Sequence, residues 1–146
     1  AYATHGDCFG PSEDPTWISI GGKLQGQSPA RIAFLRTIIE SGPPQGIDPI
    51  DQAYENNIGG QAGEYYLIYF GREPIQQWEF RLPKKNLKEG MRFKADRIDT
   101  WNMEIEPVKD VFEVKPLNAY TFVDKNGLQV KLPGRPYMAL RLQRIE

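Results

Sequence analysis

The spacing of apolar positions along the chain changes once, from helical to alternating, and that change organises the sequence. Ile32, Leu35, Ile38 and Ile39 recur at helical spacing, with Ala33 and Phe34 widening the apolar side, which predicts one helix of about three turns. Ser28 fits its N-cap, Pro29 its first helical position, and Gly42 with Pro43 its stop. An isolated helix of this length is marginal in water, so the broad apolar side is expected to lie on a core. It should be covered by the β unit that follows or by a second copy of the chain.

Beyond the helix the period becomes two. Glu64 to Phe70, Gln76 to Leu82, Arg92 to Ile98, Trp101 to Ile105, Val111 to Val114, Ala119 to Val123, Leu128 to Leu132 and Tyr137 to Leu142 all read as strands. About eight short strands within roughly 85 residues predict a mainly β fold, an antiparallel β-sandwich. Asp124-Lys125-Asn126-Gly127 reads as a hairpin turn, because Asn and Gly tolerate positive φ. Pro74, Pro83, Pro107, Pro116 and Pro133 fall at strand ends, where a missing N–H does least harm.

The remaining stretches read as connections. Residues 1–27 mix Gly, Pro, Ser and aromatics around short apolar pieces, as a strand end followed by a long loop would, and ordered loops of that length usually serve a site. Residues 43–62 carry Pro43, Pro44, Pro49, the acids Asp48, Asp51 and Glu55, and the Gly59-Gly60 pair. They read as an extended connector. The expected organisation is therefore residues 1–42, a linker at 43–62, and a β-sandwich at 63–146.

Charge and cysteine content narrow the function classes. Eighteen basic residues are scattered among 19 acidic ones for a net charge of -1, without the basic clustering that phosphate backbones demand, so a nucleic-acid partner is not expected. Apolar runs fall far short of the about 20 residues of a membrane helix, and no membrane association is expected. A single cysteine, Cys8, excludes a disulfide within the chain and leaves the redox compartment open. The opening Ala1-Tyr2-Ala3-Thr4 runs straight into structured sequence, which suggests a piece of a longer polypeptide or a processed product.

Particular words then stand out. Thr4-His5-Gly6-Asp7-Cys8-Phe9, Gly21-Gly22-Lys23-Leu24 and Gly26-Gln27-Ser28-Pro29-Ala30-Arg31-Ile32-Ala33-Phe34-Leu35 resemble the end of the barrel in bacterial glycoside hydrolases of the apiosidase-like, β-galactosidase-like group. Tyr65-Tyr66-Leu67-Ile68-Tyr69-Phe70-Gly71, Ile98-Asp99-Thr100-Trp101-Asn102-Met103 and Leu132-Pro133-Gly134-Arg135-Pro136-Tyr137-Met138-Ala139-Leu140 resemble the immunoglobulin-like β-sandwich that follows that barrel. The resemblance implies that residues 1 to 9 are the last strand of a (β/α)8 barrel and its exit, and that residues 28–41 are its closing helix. His5 and Asp7 would then stand on the rim of the substrate pocket, since such barrels carry their sites at the C-terminal ends of strands. Members of the group usually have Glu where this chain has Asp7. Their paired catalytic carboxylates are expected on earlier strands, so no catalytic residue is assigned here. By the same analogy the parent works in the periplasm or outside the cell.

Glycoside hydrolysis ordinarily needs two carboxyl groups about 5 to 9.5 Å apart, and Asp7 alone cannot supply both. Glu13 and Asp14 are adjacent in a Pro-bounded stretch and read as a solvated turn. Trp17 joins His5 and Asp7 as a candidate substrate contact, because an indole face suits the C–H face of a sugar ring, although core packing is the more usual role of a single Trp. Tyr65, Tyr66, Tyr69, Trp78, Phe80 and Trp101 could form a carbohydrate platform on the β unit. Alternation assigns roughly half of them to the interior, and burial tendencies favour the interior for Tyr69, Trp78 and Trp101. Asp48, Asp51 and Glu55 lack the spacing and glycine of a calcium loop, no zinc pattern is present, and Cys8 lacks a base-orienter constellation. No cofactor or metal is expected. Three roles stay open: an accessory portion of a glycoside hydrolase that is inactive alone, a carbohydrate-binding module, or a structural interaction domain. Ile32, Leu35 and Ile39 are the residues through which copies could associate.

Overall fold

A computed structural model describes residues 8–9, 24–50 and 57–145, of which 8, 9, 24 and 25 are described by their backbone alone. Twelve strands and one helix are present among the described residues. Strand β1 (Cys8–Phe9) pairs antiparallel with β2 (Leu24–Gln25), and helix α1 follows at Ser28–Glu40. The rest of the described chain is β: β3 (Asp48–Pro49), β4 (Ile58–Gln61), β5 (Tyr65–Tyr69), β6 (Gln77–Glu79), β7 (Arg81–Pro83), β8 (Arg92–Asp99), β9 (Glu104–Pro116), β10 (Thr121–Asp124), β11 (Gln129–Lys131) and β12 (Met138–Arg144). Eight of them form one antiparallel sheet in the order β3-β4-β5-β12-β8-β9-β10-β7, while β6 and β11 form a separate ribbon.

Strand β4, second from one end of that order, and β7, at the other end, contribute Ile58 and Leu82 to one core, so the sheet must curl round on itself. Ribbon β6-β11 adds Trp78 and Val130 to the same core. At its centre Phe80 stacks on Phe112, with ring centroids 4.7 Å apart, and Tyr66 meets Phe93 edge to face at 5.9 Å. Each fully buried side chain of this size contributes about 1.5–3 kcal/mol, so these rings are a main source of stability.

Alternation along β5, β8 and β12 sets two faces. Tyr66, Ile68, Phe93, Ala95, Leu140 and Leu142 point into the core. Leu67, Ile98 and Ala139 point the other way and receive Phe34 and Ile38 of α1. The helix is fastened at both ends. Near its start the Arg31 Nε donates to the Trp101 carbonyl at 3.2 Å; past its end Arg141, ion-paired to Asp96 at 2.8 Å, donates to the Ser41 hydroxyl at 3.2 Å.

Several expectations change. The helix is capped by Gln27 without a side-chain bond, and Ser28 is its first, buried residue, so Ser28 is not the N-cap. The sheet covers Ile38, but Ile32, Leu35 and Ile39 lie on a flank of α1 that it does not reach and remain exposed. The stretch read as a connector supplies β3 and β4, because Gly60 sits at φ 146° with an added Cβ only 2.1 Å from the Tyr65 oxygen, letting β4 lie close against β5. Gln76 to Leu82 breaks at Phe80 into β6 and β7, which pair with β11 and β10 respectively. Trp101 to Ile105 and Val111 to Val114 are not two strands: Glu104–Pro116 is one strand, irregularly paired with β8 around Lys94 and Asp96. The turn after Asp124 is tight, with Gly127 at φ 73°, yet β10 and β11 do not pair, so it passes the chain between sheets rather than closing a hairpin.

Candidate functional site

The end of the β8–β9 hairpin meets the loop between β11 and β12, and the two enclose a groove of about 190 Å³. Its walls are Arg97 and Asp99 of β8, Glu104 and Glu106 of β9, and Lys131, Pro133 and Arg135; buried Leu132 and Met138 form its apolar floor. Arg97 and Asp99 fall on one side of β8 through the period-two alternation, and Glu106 and Glu104 stand opposite them in register. Two charge pairs result. Arg97 contacts Glu106 at 3.1 Å, and Arg135 contacts Asp99 at 2.6 Å with Glu104 at 3.8 Å.

Asp99 is the node of this region and is itself buried. One carboxylate oxygen accepts from the backbone N–H of Trp101 at 3.0 Å and of Asn102 at 2.8 Å; the other accepts from the Asn102 side chain at 3.0 Å. Burial pushes its pKa up, but the Asn102 donors, the Arg135 charge and the Trp101 N–H outweigh that and hold it below the usual carboxylate value. A carboxylate so fully engaged is ionised at neutral pH and serves as a structural anchor. The turn it holds presents Trp101, which stacks on Tyr137 at 5.2 Å and lies under the Arg31 guanidinium at 3.7 Å.

The substrate-contact candidates His5, Asp7 and Trp17 lie outside the described residues, as do Glu13, Asp14, Asp51 and Glu55. Of the aromatic platform candidates, Tyr65, Tyr66, Trp78 and Phe80 are buried. Tyr69 and Trp101 are 45% and 49% exposed, contrary to the interior position that burial tendencies favour for them. Trp101 belongs to a turn rather than a strand, so the period of two does not apply to it; Tyr69 ends β5 on the side turned away from the main core. Among the described residues no group of three or more His, Cys, Asp or Glu could hold a metal ion, and no helix is long and apolar enough to cross a membrane. Sequence reading did not single out Arg31, Arg97, Asp99, Lys131 or Arg135 as a group. The signal lay in the words around Asp99-Thr100-Trp101 and Pro133-Gly134-Arg135, which the fold brings into contact.

A crystal structure of a putative glycoside hydrolase from Bacteroides vulgatus ATCC 8482 superposes on 94% of the chain with a TM-score of 0.84 and 31% sequence identity. The chain spans 28% of that protein's length. No curated protein matches it. The model of a domain family of unknown function, DUF5605, matches residues 54–143, and the chain belongs to that family.

Proposed function

We propose that this chain is the C-terminal accessory portion of a glycoside hydrolase of the apiosidase-like, β-galactosidase-like kind. In this reading the curled sheet with its ribbon is an immunoglobulin-like β-sandwich, residues 1–42 finish a (β/α)8 barrel, 43–62 lead across, and 63–146 make the accessory domain. The observation that carries it is the superposition at 31% identity over nearly the whole chain on little more than a quarter of a larger protein described as a glycoside hydrolase. Hydrolysis is then the work of residues upstream, and the accessory domain stabilises the barrel and shapes one edge of its cleft. His5, Asp7 and Trp17 contact the sugar in the assembled enzyme, which acts in the periplasm or outside the cell.

Two features support an accessory role. Asp99 is held ionised by four donors, whereas a glycosidase general acid needs a raised pKa. Ile32, Leu35 and Ile39 form an exposed aliphatic stripe on α1, and leaving such side chains wet forfeits roughly 1.5–3 kcal/mol each, so a docked barrel would gain from covering them. The test is turnover of p-nitrophenyl glycosides, β-D-galactoside first. Full-length parent protein is expected to release nitrophenol and this chain at equal molarity none. Turnover by the chain would overturn the accessory reading, and a parent silent on the whole aryl glycoside series would overturn the enzymatic one.

A further inference from the structure

We infer that the groove between the β8–β9 hairpin and the β11–β12 loop is a binding subsite for one uncharged sugar unit. The inference rests on the glycosidase-related reading above and adds a place and a ligand chemistry to it. Three cations, Arg97, Lys131 and Arg135, face three anions, Asp99, Glu104 and Glu106, so the walls sum to no net charge and favour neither an anionic nor a cationic ligand. What they favour is a group that donates and accepts at once. A ring hydroxyl does both: its proton suits a carboxylate and its oxygen suits an ammonium or guanidinium.

The walls retain free capacity. Lys131 has no ion-pair partner among the described residues, Glu104 stands 3.8 Å from Arg135, and Glu106 keeps most of its side chain in water while touching Arg97 with one oxygen. The exposed ring of Pro133, with Leu132 and Met138 buried in the same lining, offers an apolar surface for the C–H face of a ring, the combination of apolar lining with few convergent polar groups that marks small-molecule sites. At about 190 Å³ the groove is smaller than the roughly 300–1,000 Å³ of a drug-sized ligand's site, which limits it to a single unit of a chain or a terminal residue. Trp101 is not the platform. Arg31 and Tyr137 already occupy its ring, so affinity must come from the groove walls.

The experiment is titration of the ¹⁵N-labelled full chain with methyl β-D-galactopyranoside and methyl β-D-glucopyranoside, beside D-galacturonate and D-glucosamine as charged controls. A neutral glycoside is expected to shift the amides of residues 97–106 and 131–138 saturably. Glu106→Gln and Lys131→Ala, both at exposed side chains, are expected to weaken that binding roughly threefold to tenfold, the size of one or two lost hydrogen bonds, with the melting temperature unchanged. Absence of saturable shifts with both neutral glycosides, tighter binding of either charged sugar, shifts centred elsewhere, or affinity indifferent to both substitutions would each overturn the inference. Aryl glycoside turnover by the parent is scored separately. A hydrolysing parent with an empty groove sinks only this subsite, and a sugar-binding groove on a parent without turnover sinks the enzymatic reading.

Discussion

Replacing Asp99 by Ala removes more than a charge pair. Three hydrogen bonds into the turn disappear, those from the N–H groups of Trp101 and Asn102 and from the Asn102 side chain, together with the 2.6 Å contact to Arg135. Each hydrogen bond contributes about 0.5–1.5 kcal/mol net. Arg135 keeps about half its side chain in water and is not stranded by the loss, so the full 3–5 kcal/mol penalty of breaking a buried pair is not expected. The sum is a destabilisation of about 2–4 kcal/mol at neutral pH. The acid limb gives an independent check. Because the folded pKa of Asp99 lies below its ordinary value, its contribution is complete above about pH 4 and is lost as pH falls through the folded pKa. Urea unfolding followed by circular dichroism at pH 7 and near pH 3 should therefore show a wide gap between wild type and Asp99→Ala that narrows in acid. A variant within about 0.5 kcal/mol of wild type at pH 7, or a gap that acid leaves unchanged, would refute the role given to this carboxylate.

Other parts of the fold are open to similar measurement. The fully buried Tyr66 hydroxyl accepts from the Gly63 N–H at 2.7 Å, and burial pushes its pKa from 10.0 up to about 12. A raised folded pKa means stability that is intact below pH 10 and is lost as pH climbs toward 12, by up to about 3 kcal/mol. Tyr66→Phe should lack that alkaline loss and instead cost about 1–2 kcal/mol at neutral pH for the unpaired Gly63 N–H, as alkaline and neutral urea midpoints would show. Gly60→Ala and Gly127→Ala should separate clearly in thermal melts. At Gly60 a Cβ would stand 2.1 Å from the Tyr65 backbone oxygen, whereas at Gly127 nothing lies within 4 Å and only the left-handed φ costs, about 1–2 kcal/mol. Equal losses at the two sites would show that the close approach of β4 to β5 is not a real constraint.

Strands with clean alternation were readable from the sequence: Tyr66 and Ile68, Phe93 and Ala95, Leu140 and Leu142 fall on the core face as their period demands. The helix was readable too, because Ile38 and Phe34 follow a period that packing on the sheet then uses. Failures came where pairing partners rather than local pattern decide structure. Phe80 continues the alternation of its neighbours without interruption, and nothing local reveals that Trp78 and Leu82 pair into different sheets. Pro107 and Asp110 look like breakers, yet β9 runs through them, exposed along most of its first half with only β8 beside it there, where a strand edge tolerates both. The candidate groove was illegible for the same reason. Its six charged residues come from segments separated along the chain, and an ordinary scatter of Arg, Lys, Asp and Glu becomes a lined cavity only after β8 meets the loop before β12.

Strand β12 sits between β5 and β8, although both precede it by long stretches of chain, and its Arg141 reaches partners 45 and 100 residues earlier. During synthesis, then, β5 and β8 emerge with the edges destined for each other's neighbour still open, and no local hairpin can close the gap. The sheet is completed by a late insertion whose loop-closure entropy is spent before any pairing is gained, an order of events that makes folding slow and leaves two adhesive edges waiting. The order of strands in space therefore sets a timetable: half-made chains are the vulnerable species, and arrival of residues 138–144 ends that exposure.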